Sequence, residues 1–477
     1  MSTLSRLAEW ARDLTPRDVP DDVLHLARLQ HLGAAGAVRA VAPGASGADA
    51  VETARLLALY EYDDFLLAGR AGLGAVTLPW SMAKGHTVEE LALATVIGNE
   101  IGGRVGLALL LGPRANHADT HAPAAGGAAA GAWLAGESAD GIAHAVAGAL
   151  AAGGRMAPGQ AAGGTVGVRA AEAAKQAIGR TGDLALLEPS SAFWAPLCQR
   201  PLHGAFGGLG HAWLTRTLVV KPHAAMAWAT VAVQAVHEIL KRHVKAADKR
   251  LRADQVERIE IRAGLLPWSM DVAADPLDPQ SPTGLAWSLK RAIGVLVARH
   301  GLTAQDLTPE ALAEKADDIA AVASRVEVVH DWALTLQTVE HFTRVLGPLF
   351  AGLSPMELRG VRSRLKETGG WPRWTTGDLL PIARARPDRV LRNLRVAPGD
   401  LGDVRLDEFR WHLPVEVKLY TTRGGWWPER RALPLGSVPT KDVEAVALAK
   451  HGGEGARAAL DAPGGADAAG WVAGMLA

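Results

Sequence analysis

The sequence predicts a mainly helical protein that contains a smaller region of mixed α and β structure. Helical hydrophobic periodicity runs from Ser2 to about Arg250, strand-like alternation begins near Leu251, and a helical pattern returns after residues 434–439. The chain has 477 residues, which at about 150 residues per domain suffices for two or three domains. We therefore expect a helical domain and a second domain of α+β type.

Helices are predicted where apolar residues recur on one helix face. The first such run, with the spacing of an amphipathic helix, is Leu4, Leu7, Ala8, Ala11 and Leu14. Asp21 and Asp22 provide an acidic start to a second run, and residues 89–111 and 140–152 predict further helices rich in alanine. Small side chains allow helix backbones to approach closely, so we expect tight packing between these helices.

Strands are predicted where apolar and charged residues alternate. The alternation is clear in Val256–Gly264 and in Val415–Tyr420, and it is weaker in Arg325–Val329. Between these strands, the pair Thr308-Pro309 and the capping box of residues 354–357 mark two helix N-termini. The region therefore mixes strands with helices.

Composition excludes several classes of partner. Lys and Arg total 50 and Asp and Glu total 50, so we expect neither nucleic acid nor a membrane surface as a partner. The single cysteine, Cys198, excludes a cysteine-cluster metal site and fits a reducing cytoplasm. Glu9 and Asp13 interrupt the first apolar segment, so we expect no secretory signal. Since no P-loop, GxGxxG or GxSxG motif occurs, no nucleotide cofactor is predicted.

Two polar clusters are candidates for chemistry. In Glu61-Tyr62-Asp63-Asp64, neighbouring carboxylates can raise one another's pKa and supply a general acid or base, or the acidic residues form a solvated loop or a helix start. On a helix, His117 and His121 share one face and could bind a metal, or Asp119 or Thr120 caps the helix that follows. No third and fourth ligand is evident, so no metal is predicted.

Several segments, read in order, resemble the MmgE/PrpD family, which includes 2-methylcitrate dehydratase, cis-aconitate decarboxylase and iminodisuccinate epimerase. They span most of the chain and are residues 7–11, 20–24, 60–64, 98–101, 117–136, 221–223, 256–262 and 434–439. The resemblance implies a large all-helical domain built from both chain ends, residues 1–253 and 435–477, with an α+β lid inserted at residues 254–434. It also implies a homodimer without a cofactor, and an active site in the cleft between the domains.

The family acts next to carboxylates, where a base removes a proton or carbon dioxide departs and an acid protonates the product or leaving group. The resemblance makes His117 the catalytic residue that transfers the proton, with Asp63 and Asp64 orienting it or acting as its partner, and it makes Glu61 a second acid or base. The side chains expected to bind a small carboxylate or carbonyl substrate are Arg291, Lys221, His223 and His121.

The sequence departs from the family pattern where histidine, lysine or tyrosine is expected. Ala71 stands at an expected histidine, Gly163–Val166 lacks the Lys-x-x-His pair, Ala224 stands at an expected Cys or His, and Arg291 stands at an expected tyrosine. Residues 336–410 of the lid have no clear counterpart. A site with fewer cations cannot compensate a tricarboxylate, so we expect a substrate of lower charge.

Three functions remain open from the sequence. The first is a divergent cofactor-independent lyase or isomerase. The second is a non-catalytic relative that serves as a partner subunit, because the proton-transfer set is depleted. The third is the standard dehydration of 2-methylcitrate or decarboxylation of cis-aconitate.

Overall fold

A computed structural model describes residues 1–111, 117–153, 163–367, 371–372, 376–378, 382–383, 386–438, 442–453 and 455–477. The prediction of a mainly helical protein with a small sheet is confirmed. The helices before the sheet are α1 (Thr3–Asp13), α2 (Asp21–Arg39), α3 (Ala50–Leu59), α4 (Gly72–Ala75), α5 (Thr77–Ser81), α6 (Val88–Ala108), α7 (His117–Leu134), α8 (Ala139–Ala152), α9 (Gly164–Ala177) and α10 (Thr230–Ala247).

Helices α6 and α7 form the centre of this helical part. Helix α6 is buried along nearly its whole length, and it packs against α7 through glycines. A Cβ on Gly98 would lie 2.8 Å from the carbonyl oxygen of Gly126, and a Cβ on Gly102 would lie 2.4 Å from that of Ala122. These contacts leave no room for a side chain, so the predicted close approach of the helices is confirmed at α6 and α7.

The sheet has four strands, β1 (Val256–Ala263), β2 (Val326–His330), β3 (Val415–Thr421) and β4 (Trp426–Arg431), in the order β2-β1-β3-β4. Strand β1 is parallel to β2 and antiparallel to β3, and β4 is antiparallel to β3. Ile259, Ile261, Val417 and Leu419 are buried on one face, as their alternation predicts. Helix α10 packs against β3 and β4. The three predicted strands are confirmed, and β4 was not predicted.

The helices between the strands are α11 (Leu265–Ala273), α12 (Pro282–Trp287), α13 (Leu289–Arg299), α14 (Pro309–Glu314), α15 (Ala316–Ala323), α16 (Trp332–Phe350), α17 (Pro355–Glu367) and α18 (Pro387–Asn393). Thr308 caps α14 by accepting a hydrogen bond from the N–H of Ala311. The capping box is present too, since the N–H of Ser354 donates to Glu357 and the N–H of Glu357 donates to the Ser354 hydroxyl. Both predicted helix N-termini are confirmed.

The end of the chain returns to the first helices. It forms α19 (Val443–His451), α20 (Gly455–Leu460) and α21 (Ala468–Leu476), and α19 packs along α2. The approach requires glycine at position 36, where a Cβ would lie 2.5 Å from the carbonyl oxygen of Lys450. This packing brings Lys450 beside the loop that follows α3.

Three extended segments also meet beside that loop. Phe65 and Val219 exchange backbone hydrogen bonds of 3.2 and 2.9 Å, and the N–H of Val220 donates to the carbonyl of Gly436 at 2.9 Å. Lys221 follows directly in the chain, so it is held next to the loop. Among the described residues, no helix combines the length and the apolar character needed to cross a lipid bilayer.

Candidate functional site

The loop after α3 carries the acidic cluster predicted from the sequence. The N–H of Glu61 bonds the carbonyl of Ala58, and the N–H of Tyr62 bonds that of Leu57, which is a Schellman ending. Glu61 occupies the left-handed position of this motif at φ 50°, where glycine is usual and another residue costs about 1–2 kcal/mol. Strain of this kind is typical of residues whose side chain has a role.

The cluster is buried, so the alternative of a solvated loop is wrong. The exposed fractions of Glu61, Asp63 and Asp64 are 2%, 1% and 7%. Ionised carboxylates at this depth require partners that compensate the lost hydration.

Arg70 compensates two of the three carboxylates. Its Nε and Nη2 donate to the two oxygens of Asp63 at 2.6 and 2.7 Å, and its Nη1 donates to Glu61 at 2.7 Å. Lys221 Nζ lies 3.3 Å from Asp63 and 3.8 Å from Glu61, and Trp287 Nε1 donates to Glu61 at 2.9 Å. Burial alone would raise the pKa of Asp63, but the charges of Arg70 and Lys221 outweigh it and lower that pKa.

Asp64 has a different environment from Asp63. Its Oδ2 is buried without a hydrogen-bond partner, and Gly72 lies so close that a Cβ there would be 2.2 Å from Oδ1. Burial and the neighbouring charge of Asp63 raise the pKa of Asp64 to about 7, although Lys450 and a hydrogen bond from Gln30 oppose the rise. Asp64 is therefore a carboxyl group that can take up or release a proton near neutral pH.

Lys450 reaches the same cluster from helix α19. Its Nζ donates to the carbonyl oxygen of Tyr62 and lies 4.0 Å from the centre of the Tyr62 ring. Lys450 is partly exposed along its length, but its charged end is enclosed by protein. Burial and the charge of Lys221 lower the pKa of Lys450 to about 7, against the opposing charges of Asp64 and Asp63.

Helix α7 begins beside the cluster. Burial raises the pKa of Asp119 to about 6; the charge of Arg70 opposes this rise, and those of Glu61 and Asp63 add to it. The helix starts at His117, so Asp119 lies within its first turn and does not cap it. The side chain of His117 lies outside the described residues, and its predicted proton transfer stays a prediction.

The structure gives the remaining predicted residues contacts of their own. The buried ring of His121 meets the ring of Phe193 at 5.7 Å between centroids. His223 Nε2 lies 3.2 Å from Nδ1 of His237, and burial and the charge of His237 lower the pKa of His223 to about 3.

Arg291 is bound to backbone carbonyls of the segment between β1 and β2. Its Nη1 donates to Leu277 at 3.1 Å and to Ala274 and Gly284 at 3.4 Å. Its Nη2 also donates to Asp275 at 3.4 Å, so four carbonyls hold the guanidinium, and binding a substrate through it would require these bonds to be exchanged.

The structure thus brings together Glu61, Asp63, Asp64 and Lys221 of the predicted set, and it adds Arg70, Lys450 and Asp119, which were not predicted as site residues. In the described part of the chain, no three His, Cys, Asp or Glu side chains are grouped as metal ligands would be. The arrangement offers an acid and a base that both titrate near pH 7, held beside a rigid ion network.

The sequence was compared with protein-family models and with curated proteins. No family model matches the sequence, and no curated protein matches it at a significant level.

Proposed function

We propose that this chain is a cofactor-independent lyase or isomerase that moves a proton next to the carboxylate or carbonyl group of a small molecule. The observation that carries the proposal is the presence of Asp64 and Lys450 in one buried cluster, where Oδ2 of Asp64 has no hydrogen-bond partner and the pKa values of the two groups are each moved to about 7. General acids and bases work best when their pKa lies near the working pH, and such tuning concentrates at functional sites.

In this proposal Asp64 is the general base. Its unpartnered Oδ2 accepts a proton from the carbon next to the substrate's carbonyl or carboxyl group. Lys450, as an ammonium, stabilises the negative charge that develops on the substrate oxygen. His117 begins the helix that carries Asp119 to the cluster, and we assign it the second proton transfer.

The charges of the cluster support a substrate of low charge. The carboxyl groups are Glu61, Asp63, Asp64 and Asp119, and the cations are Arg70, Lys221 and Lys450. Since four acidic groups face three basic groups, no surplus positive charge remains to compensate a tricarboxylate. A small monocarboxylate or a carbonyl compound fits this balance better than 2-methylcitrate does.

We further propose that the chain is a divergent MmgE/PrpD relative with the arrangement implied by the resemblance. Residues 1–253 and 435–477 form the helical domain, residues 254–434 form the lid, and the protein is a cytoplasmic homodimer. The packing of α19 along α2 supports a helical domain made from both ends of the chain.

A second candidate is a non-catalytic partner subunit. Arg70 is saturated by Asp63 and Glu61, and a substrate carboxylate could displace neither without leaving a buried charge unpaired. This observation favours a structural role for those two carboxylates, but it does not involve Asp64.

Proton transfer to solvent tests the proposal. The protein is incubated in D2O with 2-oxo acids, hydroxy acids, unsaturated acids, 2-methylcitrate and cis-aconitate, and deuterium in the recovered acids is measured by mass spectrometry. We expect exchange or turnover of at least one low-charge acid, and a loss of about 10²–10⁴-fold in Asp64→Asn. The control is Asp22→Asn, which removes a carboxylate from the exposed Asp22–Arg216 pair.

Exchange that is the same in Asp64→Asn as in the unmodified protein contradicts the assignment of the base. Absence of exchange with every acid, together with isolation of a stable complex with another protein, favours the partner subunit.

A further inference from the structure

Lys450 differs from the other two cations of the cluster in its contacts. Arg70 and Lys221 both lie within 4.0 Å of carboxylate oxygens of Asp63 and Glu61. Lys450 Nζ has no carboxylate oxygen within 4.0 Å among the described residues, and instead meets the carbonyl and the ring face of Tyr62. An amine without a close carboxylate partner can lose its proton at little electrostatic cost.

The surroundings of this amine favour its neutral form. Burial and the positive charge of Lys221 both disfavour the ammonium, which accounts for the lowered pKa of Lys450. At pH 7 about half of such a lysine is free amine, against about 1 part in 10³ for an ordinary lysine of pKa about 10.4. Free lysine amines in apolar sites are the nucleophiles that form Schiff bases with carbonyl substrates.

We propose that Lys450 captures small aldehydes or ketones as an imine, with Asp64 as the group that moves the protons. Two geometric observations support this proposal. The Nζ of Lys450 lies over the ring of Tyr62, and the unpartnered Oδ2 of Asp64 belongs to the same buried cluster. The inference rests on the proposed function, since it names a carbonyl compound as the substrate class of that site.

The step balances without any external oxidant or reductant. The Nζ lone pair attacks the carbonyl carbon, and the C=O π pair moves to oxygen. The Asp64 carboxyl group starts in its protonated form and gives its proton to that oxygen. It then takes one N–H proton from the carbinolamine nitrogen, gives this proton to the carbinolamine hydroxyl, and ends as a carboxylate. The C–O bond breaks, water leaves, and the nitrogen lone pair completes the iminium. An iminium makes the adjacent C–H bond acidic, so in the adduct the iminium replaces the Lys450 ammonium as the group that stabilises negative charge, and the Asp64 carboxylate is the base for the proton transfer of the proposed function.

Reductive trapping tests the inference on the full-length protein. The protein is incubated at pH 7 with acetaldehyde or with pyruvate in the presence of sodium cyanoborohydride, which supplies hydride to an iminium, and the modified lysines are located by peptide mass mapping. We expect Lys450 to be labelled at least about tenfold faster than exposed lysines such as Lys241, and labelling to fall below about pH 6 as the amine is protonated. Lys450→Arg should lose the fast label, and Lys241→Arg, the control for an exposed lysine, should keep it.

Fast labelling of Lys450 supports the inference, and labelling spread evenly over exposed lysines overturns it. The map of the unmodified protein decides this even if Lys450→Arg does not fold. Labelling at Lys450 without deuterium exchange in any acid or ketone keeps the imine and refutes the proposed function. Exchange that depends on Asp64 without labelling of Lys450 keeps the proposed function and refutes the imine.

Discussion

Replacing Arg70 with Met tests whether the acidic cluster is held by one buried guanidinium. The substitution keeps much of the side-chain volume and removes the charge that both Asp63 and Glu61 use. Breaking a buried ion pair from one side costs about 3–5 kcal/mol because the remaining charge stays uncompensated. Two carboxylates lose their closest cation here and keep only the more distant Lys221, so we expect the free energy of unfolding to fall by about 5 kcal/mol at pH 8.

The loss should shrink as the pH falls. In the unmodified protein the lowered pKa of Asp63 contributes to the free energy of unfolding. This contribution is present above the ordinary pKa of an aspartate and is lost on acidification below it. Without Arg70, burial raises that pKa, so the ionised carboxylate destabilises the fold until it takes up a proton. Between pH 8 and pH 5 only the protonation of the variant acts, and it narrows the difference in unfolding free energy between the two proteins; the loss in the unmodified protein begins only below the ordinary pKa of an aspartate, about 3.9.

Urea unfolding followed by tryptophan fluorescence measures this, with Arg216→Met as the matched control. Arg216 likewise donates through two nitrogens to both oxygens of one carboxylate, Asp22, at 2.8 and 2.9 Å, but at the surface. An exposed pair contributes about 0–1 kcal/mol. Equal losses for the two variants, or a loss for Arg70→Met that does not change with pH, would refute the reasoning.

Further predictions concern the carboxyl group of the proposed base and its surroundings. Asp64→Asn should gain stability relative to the unmodified protein as the pH rises from 4 to 7, by at most about 4 kcal/mol. The raised pKa of Asp64 stabilises the unmodified protein at low pH, and this stabilisation is lost as the pH rises from 4 to 7. Urea unfolding across this pH range checks the prediction. Gly72→Ala should lower the free energy of unfolding by about 1–3 kcal/mol, since its Cβ would lie 2.2 Å from Asp64. Gly474→Ala, where the Cβ would have no atom within 4 Å, should raise it by up to about 1 kcal/mol. Equal thermal unfolding of the two variants would contradict this prediction. His223→Gln should make the free energy of unfolding less sensitive to acid between pH 6.5 and 3. The lowered pKa of His223 gives the unmodified protein stability that is present above pH 6.5 and lost as the pH falls through 3. An unchanged slope of the unfolding free energy against pH would contradict this prediction.

The regular elements of the fold follow from local patterns. Alternation in Val256–Gly264 and in Val415–Tyr420 predicts β1 and β3, which have one buried and one more exposed face. Strand β4 has no alternation of apolar and polar residues from which it could be predicted. Trp426 and Arg430 are exposed and Pro428 lies in the strand, so no apolar face is formed. Proline is tolerated there because β4 is an edge strand of the sheet.

Only part of the site can be predicted from the sequence. Four of its residues lie in the short motifs around Glu61–Asp64 and Lys221, where clustered charged residues indicate a candidate site. Lys450 contacts the carbonyl of Tyr62 across 388 positions of the chain, and its helix has the pattern of an ordinary amphipathic segment. Arg70, which compensates the cluster, lies seven and nine positions after Asp63 and Glu61, and a tight turn from Leu66 to Gly69 returns it to them.

Direct titration of the Asp64 carboxyl group tests the central claim, which is that a buried carboxylic acid is poised near neutral pH beside a lysine. The infrared band of a protonated carboxyl group is recorded from pH 4 to pH 9 in the unmodified protein and in Asp64→Asn. We expect a band that disappears around pH 7 in the unmodified protein and is missing from the variant, while the titration of Asp119 near pH 6 remains in both. If no protonated carboxyl group persists above about pH 5, or if the band that disappears near pH 7 survives in Asp64→Asn, the site does not hold the proton on which the proposed chemistry depends.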